Sequence, residues 1–120
     1  MFLSRLILVS LLGLPTVLAN PVITEFLASN INGLTDEDGD TSDWIELHNP
    51  TSSTLNLEGW QLTDDRSELS KWTFPATTVP PDAYLVIFAS GKNRTAADSE
   101  LHTNFKLSAE GESLILVSPR

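Results

Sequence analysis

The segment that decides the fold is DWIELHNP, residues 43–50, together with LNLEGWQLTD, residues 55–64. Apolar and polar residues alternate over Ile45–His48, which is the period of a strand with one buried face. Pro50 ends this strand, because proline donates no hydrogen bond to a ladder. The second segment alternates in the same way and turns at Glu58–Gly59. Both segments therefore predict short, half-buried strands.

The same pattern of short apolar runs separated by Pro, Gly, Asn and Asp continues along the chain. The other strand candidates are Val22–Leu27, Lys71–Phe74, Tyr84–Ala89, Asn104–Leu107 and Ser113–Val117. Turns that recur roughly every 8–12 residues predict an all-β fold, a two-sheet sandwich of about seven short antiparallel strands. The short, glycine-containing link between the last two candidates indicates a hairpin.

Length and composition limit the classes of function. The chain has 120 residues, enough for one domain, and 41% of them are hydrophobic. It contains no cysteine, which excludes disulfides, thiolate zinc sites and a cysteine nucleophile. The net charge of -9 argues against nucleic acid and against an anionic membrane surface as partners, because both are bound through Lys and Arg.

The first nineteen residues have the pattern of a secretory signal peptide. Arg5 precedes an apolar run at residues 6–14, and Pro15 breaks this run well short of the roughly 20 residues that span a bilayer. Compact residues before Asn20 fit a cleavage site. We therefore predict a signal peptide at 1–19 and a domain at 20–120, secreted or held at the cell surface without membrane insertion after cleavage.

The two opening segments, with ITEFL at 23–27, WTFP at 72–75 and NFKLS at 104–108, resemble the lamin tail domain family, in its bacterial secreted type. The resemblance covers essentially all of residues 20–120. It implies an immunoglobulin-like β-sandwich that serves as an exported accessory module without catalysis of its own. The family usually continues beyond the positions that match 117–119 into a final strand, which this chain is expected to lack.

The acidic loop DEDGDTSD, residues 36–43, is the most concentrated chemical feature. Carboxylates at alternate positions converge on a hard cation when Gly39 lets the backbone curl, and calcium takes six to eight oxygen ligands. The spacing is not that of an EF-hand, because Thr41 and Leu47 stand where Gly and Glu are needed. A solvated acidic turn is the ordinary interpretation of such a loop, and calcium binding is the functional alternative to it. The predicted calcium ligands are Asp36, Asp38, Asp40 and Asp43.

Other residues with catalytic potential do not form a recognisable motif. His48 and His102 could serve a hydrolase together with Ser90 or Ser108, but no nucleophile elbow surrounds either serine. Packing within the sheets is predicted over sugar stacking for the tryptophans, Trp44, Trp60 and Trp72. No catalytic residue and no cofactor beyond calcium is therefore predicted.

Together these features predict a secreted, non-catalytic module that binds a protein or a cell-surface polymer. One alternative is an N-terminal accessory fragment of a larger exported enzyme, which a reading frame continuing beyond codon 120 would establish. A calcium-binding adhesion module is the other.

Overall fold

Strands make up the regular secondary structure of the described residues. The structure, a computed structural model, describes residues 11–12, 20–28, 30, 33–108 and 113–119. The strands are β1 (Leu11–Leu12), β2 (Val22–Leu27), β3 (Asp43–His48), β4 (Leu55–Asn56), β5 (Gln61–Thr63), β6 (Trp72–Thr73), β7 (Thr78–Val79), β8 (Tyr84–Ala89), β9 (Leu101–His102) and β10 (Ile115–Val117). The predicted all-β, immunoglobulin-like sandwich is confirmed. Within these residues, no helix is long and apolar enough to cross a membrane.

Strand β3 is central in the first sheet, whose order is β2-β3-β8-β9 and which we call the β3 sheet. It runs antiparallel to β2 and β8, whereas β9 joins β8 in parallel. The register pairs Ile45 with Ile87 and Leu47 with Leu85. Ile45, Leu47 and Ile87 are fully buried, as the alternation of β3 predicts.

The second four-stranded sheet, which we call the β5 sheet, has the order β1-β10-β5-β6. Strand β10 runs antiparallel to β5 and places Leu116 opposite Leu62, both fully buried. Strands β4 and β7 form a separate antiparallel pair. Apolar side chains from all three sheets form one core cluster, so burial of apolar surface between the layers stabilises the sandwich.

Two tryptophans belong to this core. Trp60 and Trp72 are both buried, and Trp72 meets Phe74 edge to face with ring centroids 4.9 Å apart. Trp44 lies half-buried on the outer face of β3. The prediction that the tryptophans pack within the sheets is confirmed for Trp60 and Trp72, which are too enclosed to stack on a sugar.

Two sequence expectations about strands differ from the structure. Residues 104–107 form only a single bridge, between Lys106 and Ser90, and strands β7 and β9 arise where none is expected. The predicted hairpin is wrong, because β10 pairs with β5 and not with residues 104–107. Its turn at 109–112 lies outside the described residues. Two-residue strands depend on the neighbour that pairs with them, which local alternation does not reveal.

Strand β1 lies within the predicted signal peptide. It pairs in parallel with β10, with Leu11 opposite Leu116. Residues 1–10 and 13–19 lie outside the described residues. The signal peptide at 1–19 and the domain boundary at Asn20 stay predictions.

Asn49 closes the corner where the chain leaves β3. Its carboxamide nitrogen donates to three backbone carbonyls, those of Ser53 at 2.8 Å, Val79 at 2.9 Å and Pro80 at 3.1 Å. Its oxygen accepts from the backbone N–H and the hydroxyl of Thr51. The side chain is only 1% exposed, so one residue supplies the hydrogen bonds that a buried turn needs.

Candidate functional site

The acidic loop precedes β3 and folds back on itself. Gly39 adopts a φ of 83°, a left-handed conformation that glycine adopts without strain. The loop is closed by backbone hydrogen bonds from Asp36 to Asp40 and from Gly39 to Asp36, both 2.8 Å. The carboxylates of Asp36, Asp38 and Asp40 thereby converge, with one oxygen of each within 4.8 Å of the others. The structure thus brings together three of the four predicted ligands.

Asp43, the fourth predicted ligand, lies at the start of β3 and is not among the carboxylates that converge. Its carboxylate accepts from the backbone N–H of Asn30 at 3.4 Å and of Leu107 at 3.3 Å. These contacts tie β3 to the segments on both sides of it. The structure therefore assigns Asp43 a role in holding the loops.

A lysine side chain occupies the point on which the three carboxylates converge. The ammonium of Lys92 lies 2.7 Å from Asp36 Oδ2, 2.9 Å from Asp38 Oδ2 and 2.8 Å from Asp40 Oδ2. We call Lys92 and these three aspartates the lysine clasp. Beside it, Arg94 binds Glu37 and Asp38, both at 2.8 Å. The segment after β8 thus supplies two positive charges that offset part of the negative charge of the acidic loop.

Asp36 is the buried member of the lysine clasp. Its side chain is 0% exposed, and its Oδ1 accepts from the backbone N–H groups of Asp38 and Asp40 at 2.9 and 3.0 Å. Its Oδ2 accepts from Ser42 Oγ and Lys92 Nζ, both at 2.7 Å. Such charge-assisted bonds are shorter and stronger than neutral ones. Both oxygens are fully used inside the protein.

These contacts shift the ionisation of the clasp. Burial by itself would raise the pKa of Asp36, but hydrogen bonds from Lys92, from Ser42 and from the loop backbone outweigh it and lower the pKa well below its usual range. Hydrogen bonds to Asp36, Asp40 and Asp38 raise the pKa of Lys92 above its usual range. Both groups are therefore charged over the whole neutral range of pH.

The structure also brings together Ser90 and His102, which lacked a common motif in the sequence. Ser90 Oγ and His102 Nδ1 are hydrogen-bonded at 2.8 Å, and Ser90 Oγ also accepts from the backbone N–H of Lys92 at 3.0 Å. His102 is 0% exposed, Ser90 is buried, and the imidazole stacks on Phe88 with centroids 5.4 Å apart. The Ser90 hydroxyl is thus used in contacts with the imidazole and with the loop backbone.

Lys92 and Arg94 are the site residues that sequence reasoning missed. They lie 52 to 57 residues from their acidic partners, so no local spacing connects them. The sequence contains one indirect signal for them. A concentrated acidic loop is stabilised by a nearby positive charge, and Lys92 and Arg94 are close together in a loop that follows a buried strand.

Comparison with known proteins gives a family for the chain. The family model described as Lamin Tail Domain matches residues 17–120. No curated protein and no solved structure matches the chain. The matched range includes strands β2 to β10 and the whole lysine clasp. Its immunoglobulin-like architecture agrees with the sandwich described above, and the chain therefore belongs to the lamin tail domain family.

Proposed function

We propose that the chain is an exported, non-catalytic binding module that docks a protein partner outside the cell or at its surface. The n-region, apolar run and compact cleavage site of residues 1–19 support export. The net charge of -9 supports a protein partner over nucleic acid or an anionic membrane. After cleavage the domain starts at Asn20 and inserts no segment into the membrane.

The use of the polar side chains supports a role without catalysis. Lamin tail domains are a non-enzymatic family of immunoglobulin-like domains. Asp36, Lys92 and Ser90 are residue types that often act in catalysis, but here each is hydrogen-bonded to neighbouring loops. Their contacts stabilise the sandwich, and we therefore expect the partner to bind the exposed side chains of the sheets.

The observation that carries the proposal is an exposed tyrosine held rigidly on a sheet face. Tyr84 is 58% exposed, yet its ring stacks on His48 with centroids 4.3 Å apart and planes 17° apart. His48 Nε2 is in turn 2.9 Å from Asp82 Oδ1, and Val22 lies opposite His48 on β2. A fixed aromatic ring loses little conformational entropy on binding, which makes tyrosine a frequent anchor at interfaces.

A groove next to this tyrosine indicates the chemistry of the partner. Val86 lies two residues beyond Tyr84 on the same face of β8 and lines a groove of about 570 Å³, together with Ala97 and Leu101. We call Val22, His48, Tyr84 and Val86 the Tyr84 face. The groove also contains three acidic residues, Glu58, Asp98 and Glu100. These features favour a protein segment with an apolar side chain flanked by Lys or Arg.

We expect Tyr84→Ser to weaken binding to the partner at least about tenfold, because buried tyrosines are among the side chains that dominate interface energies. The gene is expressed with its leader, and the exported chain is expected to begin at Asn20. Labelled exported protein is then titrated onto intact source cells and onto their secreted proteins. Protease treatment of the cells distinguishes a protein partner from a polymer.

The matched control is Leu34→Ser, because Leu34 is 46% exposed and lies outside the Tyr84 face. Both variants are expected to keep the free energy of unfolding within about 0.5 kcal/mol of the parent. The proposal fails if the parent binds neither cells nor secreted proteins, or if Tyr84→Ser and Leu34→Ser bind as tightly as the parent. Binding that survives protease treatment would identify a cell-surface polymer instead.

A calcium-binding adhesion module is the second candidate function. It is supported by the convergence of the carboxylates of Asp36, Asp38 and Asp40 on one cation position. Because the Lys92 ammonium holds that position, calcium has to displace it. Extracellular calcium modules bind at about 10⁻⁴–10⁻³ M, a range compatible with such competition.

The calcium hypothesis predicts that about 10 mM calcium raises the Tm by roughly 5 °C or more, because an ion that binds only the folded state stabilises it. Calorimetry with and without calcium measures the shift, and sodium chloride at the same ionic strength is the control. An unchanged Tm would assign the cation position to Lys92 alone.

A further inference from the structure

A second group of potential ligands lies beside the lysine clasp, around the free nitrogen of His102. The imidazole is 0% exposed, and its Nε2 makes no hydrogen bond to any residue that the structure describes. Buried polar atoms are almost always satisfied, so an unpaired one needs a physical explanation. The groups that face this nitrogen offer an explanation.

Two glutamates face it. Glu100 Oε1 lies 3.6 Å from His102 Nε2, and Glu37 contributes a further carboxylate oxygen, with all three ligand atoms within 4.8 Å of one another. A separation of 3.6 Å is too long for an N–H···O hydrogen bond. Two ligands about 2.0–2.2 Å from a tetrahedral zinc ion lie roughly 3.3–3.6 Å apart. The observed distance therefore matches two ligands of one metal ion.

The side chains of this group are already oriented. His102 Nδ1 is hydrogen-bonded to Ser90, so when Nδ1 carries the proton the lone pair of Nε2 points towards the glutamates. The backbone N–H of Glu37 donates to Glu100 Oε1 at 2.7 Å and fixes the second ligand. Arg94 holds Glu37 through Oε2, which leaves the other oxygen for an ion.

We propose that His102 Nε2, Glu100 and Glu37 bind a divalent first-row transition ion, with Zn²⁺ as the representative. Imidazole nitrogen favours such ions, whereas calcium prefers sites made only of oxygen. The ion joins strand β9 to the acidic loop. The two glutamates are 37% and 42% exposed, which gives the ion a path from solvent and leaves a coordination position for water.

The test uses the full chain, first stripped with EDTA and then dialysed. Calorimetric titration with Zn²⁺ and visible absorption with Co²⁺ are expected to show one ion per chain in a site of low coordination number. Glu100→Gln is expected to weaken binding at least about tenfold, because loss even of an outer-sphere partner weakens metal sites about 10–100-fold. Asp98→Asn, in the same loop, is the matched control and is expected to bind like the parent.

Ser90→Ala tests the orientation of the imidazole and is expected to weaken Zn²⁺ binding about 10–100-fold. Because His102 is buried, His102→Gln is informative only if the variant folds, and Glu100→Gln, at an exposed position, carries the test otherwise. Zn²⁺ is expected to shift the His102 ring nitrogens in long-range ¹⁵N NMR spectra. The proposal is overturned if the parent binds no ion, if Glu100→Gln binds as tightly as the parent, or if only His48→Gln abolishes binding.

Discussion

Asn49→Asp is expected to lower the free energy of unfolding by at least about 3 kcal/mol, although the two side chains have nearly the same shape. The Asn49 nitrogen donates to the carbonyls of Ser53, Val79 and Pro80. An aspartate places a carboxylate oxygen against these three carbonyls, at a position that is only 1% exposed. Three hydrogen bonds are lost, and the buried charge keeps only the two bonds from Thr51 to its other oxygen, with no cation to balance it.

Asn56→Asp is the matched control for this substitution. Asn56 is exposed and uses only its oxygen, which accepts from the backbone N–H of Glu58 at 3.0 Å, and aspartate keeps that bond. Its free energy of unfolding is expected to stay within about 0.5 kcal/mol of the parent. Urea denaturation of the parent and both variants measures the difference. An equal decrease in the free energy of unfolding of the two variants would show that the hydrogen bonds of Asn49 do not stabilise the sandwich.

Lys92→Met is expected to lower the free energy of unfolding by about 2 kcal/mol, since it leaves buried Asp36 and neighbouring Asp40 without their cation, whereas Asp38 keeps its ion pair with Arg94. The loss is smaller than for a fully isolated charge, because Asp36 keeps its bonds from Ser42 and from the loop backbone. The matched control is Lys106→Met, which changes the net charge equally and is exposed. Thermal unfolding in EDTA compares the two variants.

The lysine clasp also predicts how stability depends on pH. Because folding lowers the pKa of Asp36, this group stabilises the fold above the ordinary aspartate pKa of about 3.9, and its contribution is lost on acidification below that value. Because folding raises the pKa of Lys92, its contribution is complete below about pH 10.4 and is lost as the pH rises further. In Lys92→Met, the free energy of unfolding is expected to depend less steeply on pH, both below about pH 3.9 and above about pH 10.4. A pH dependence as steep as that of the parent would contradict the role of the Asp36–Lys92 pair.

The strands nearest the opening motif could be predicted from sequence because their pattern is local. The alternation of Ile45 and Leu47 determines which face of β3 is buried, and Pro50 marks its end. The apolar residues of β8 likewise predict a strand near the middle of its sheet. The spacing of the turns predicts the two-sheet sandwich, and the resemblance to the lamin tail family adds its immunoglobulin-like type.

The contacts that complete the site depend on distant residues. The acidic loop is evident in the sequence, whereas its cation comes from Lys92, 56 residues away from Asp36. The corner role of Asn49 was equally hidden, because two of its acceptors, Val79 and Pro80, are carbonyls about 30 residues further along the chain. Every residue has a backbone carbonyl, so the sequence does not indicate which carbonyls accept hydrogen bonds from Asn49.

The coupling energy between Asp36 and Lys92 tests most directly whether the acidic loop is held by a cation built into the chain. A double-mutant cycle of Asp36→Asn and Lys92→Met, measured by urea denaturation in EDTA, isolates this pair. Asparagine keeps the oxygen that accepts from the loop backbone, so the cycle reports mainly the charge contact. We predict a coupling of at least about 1 kcal/mol. Coupling near zero in EDTA, with stability recovered only when calcium is added, would contradict the lysine clasp and make the loop a metal site.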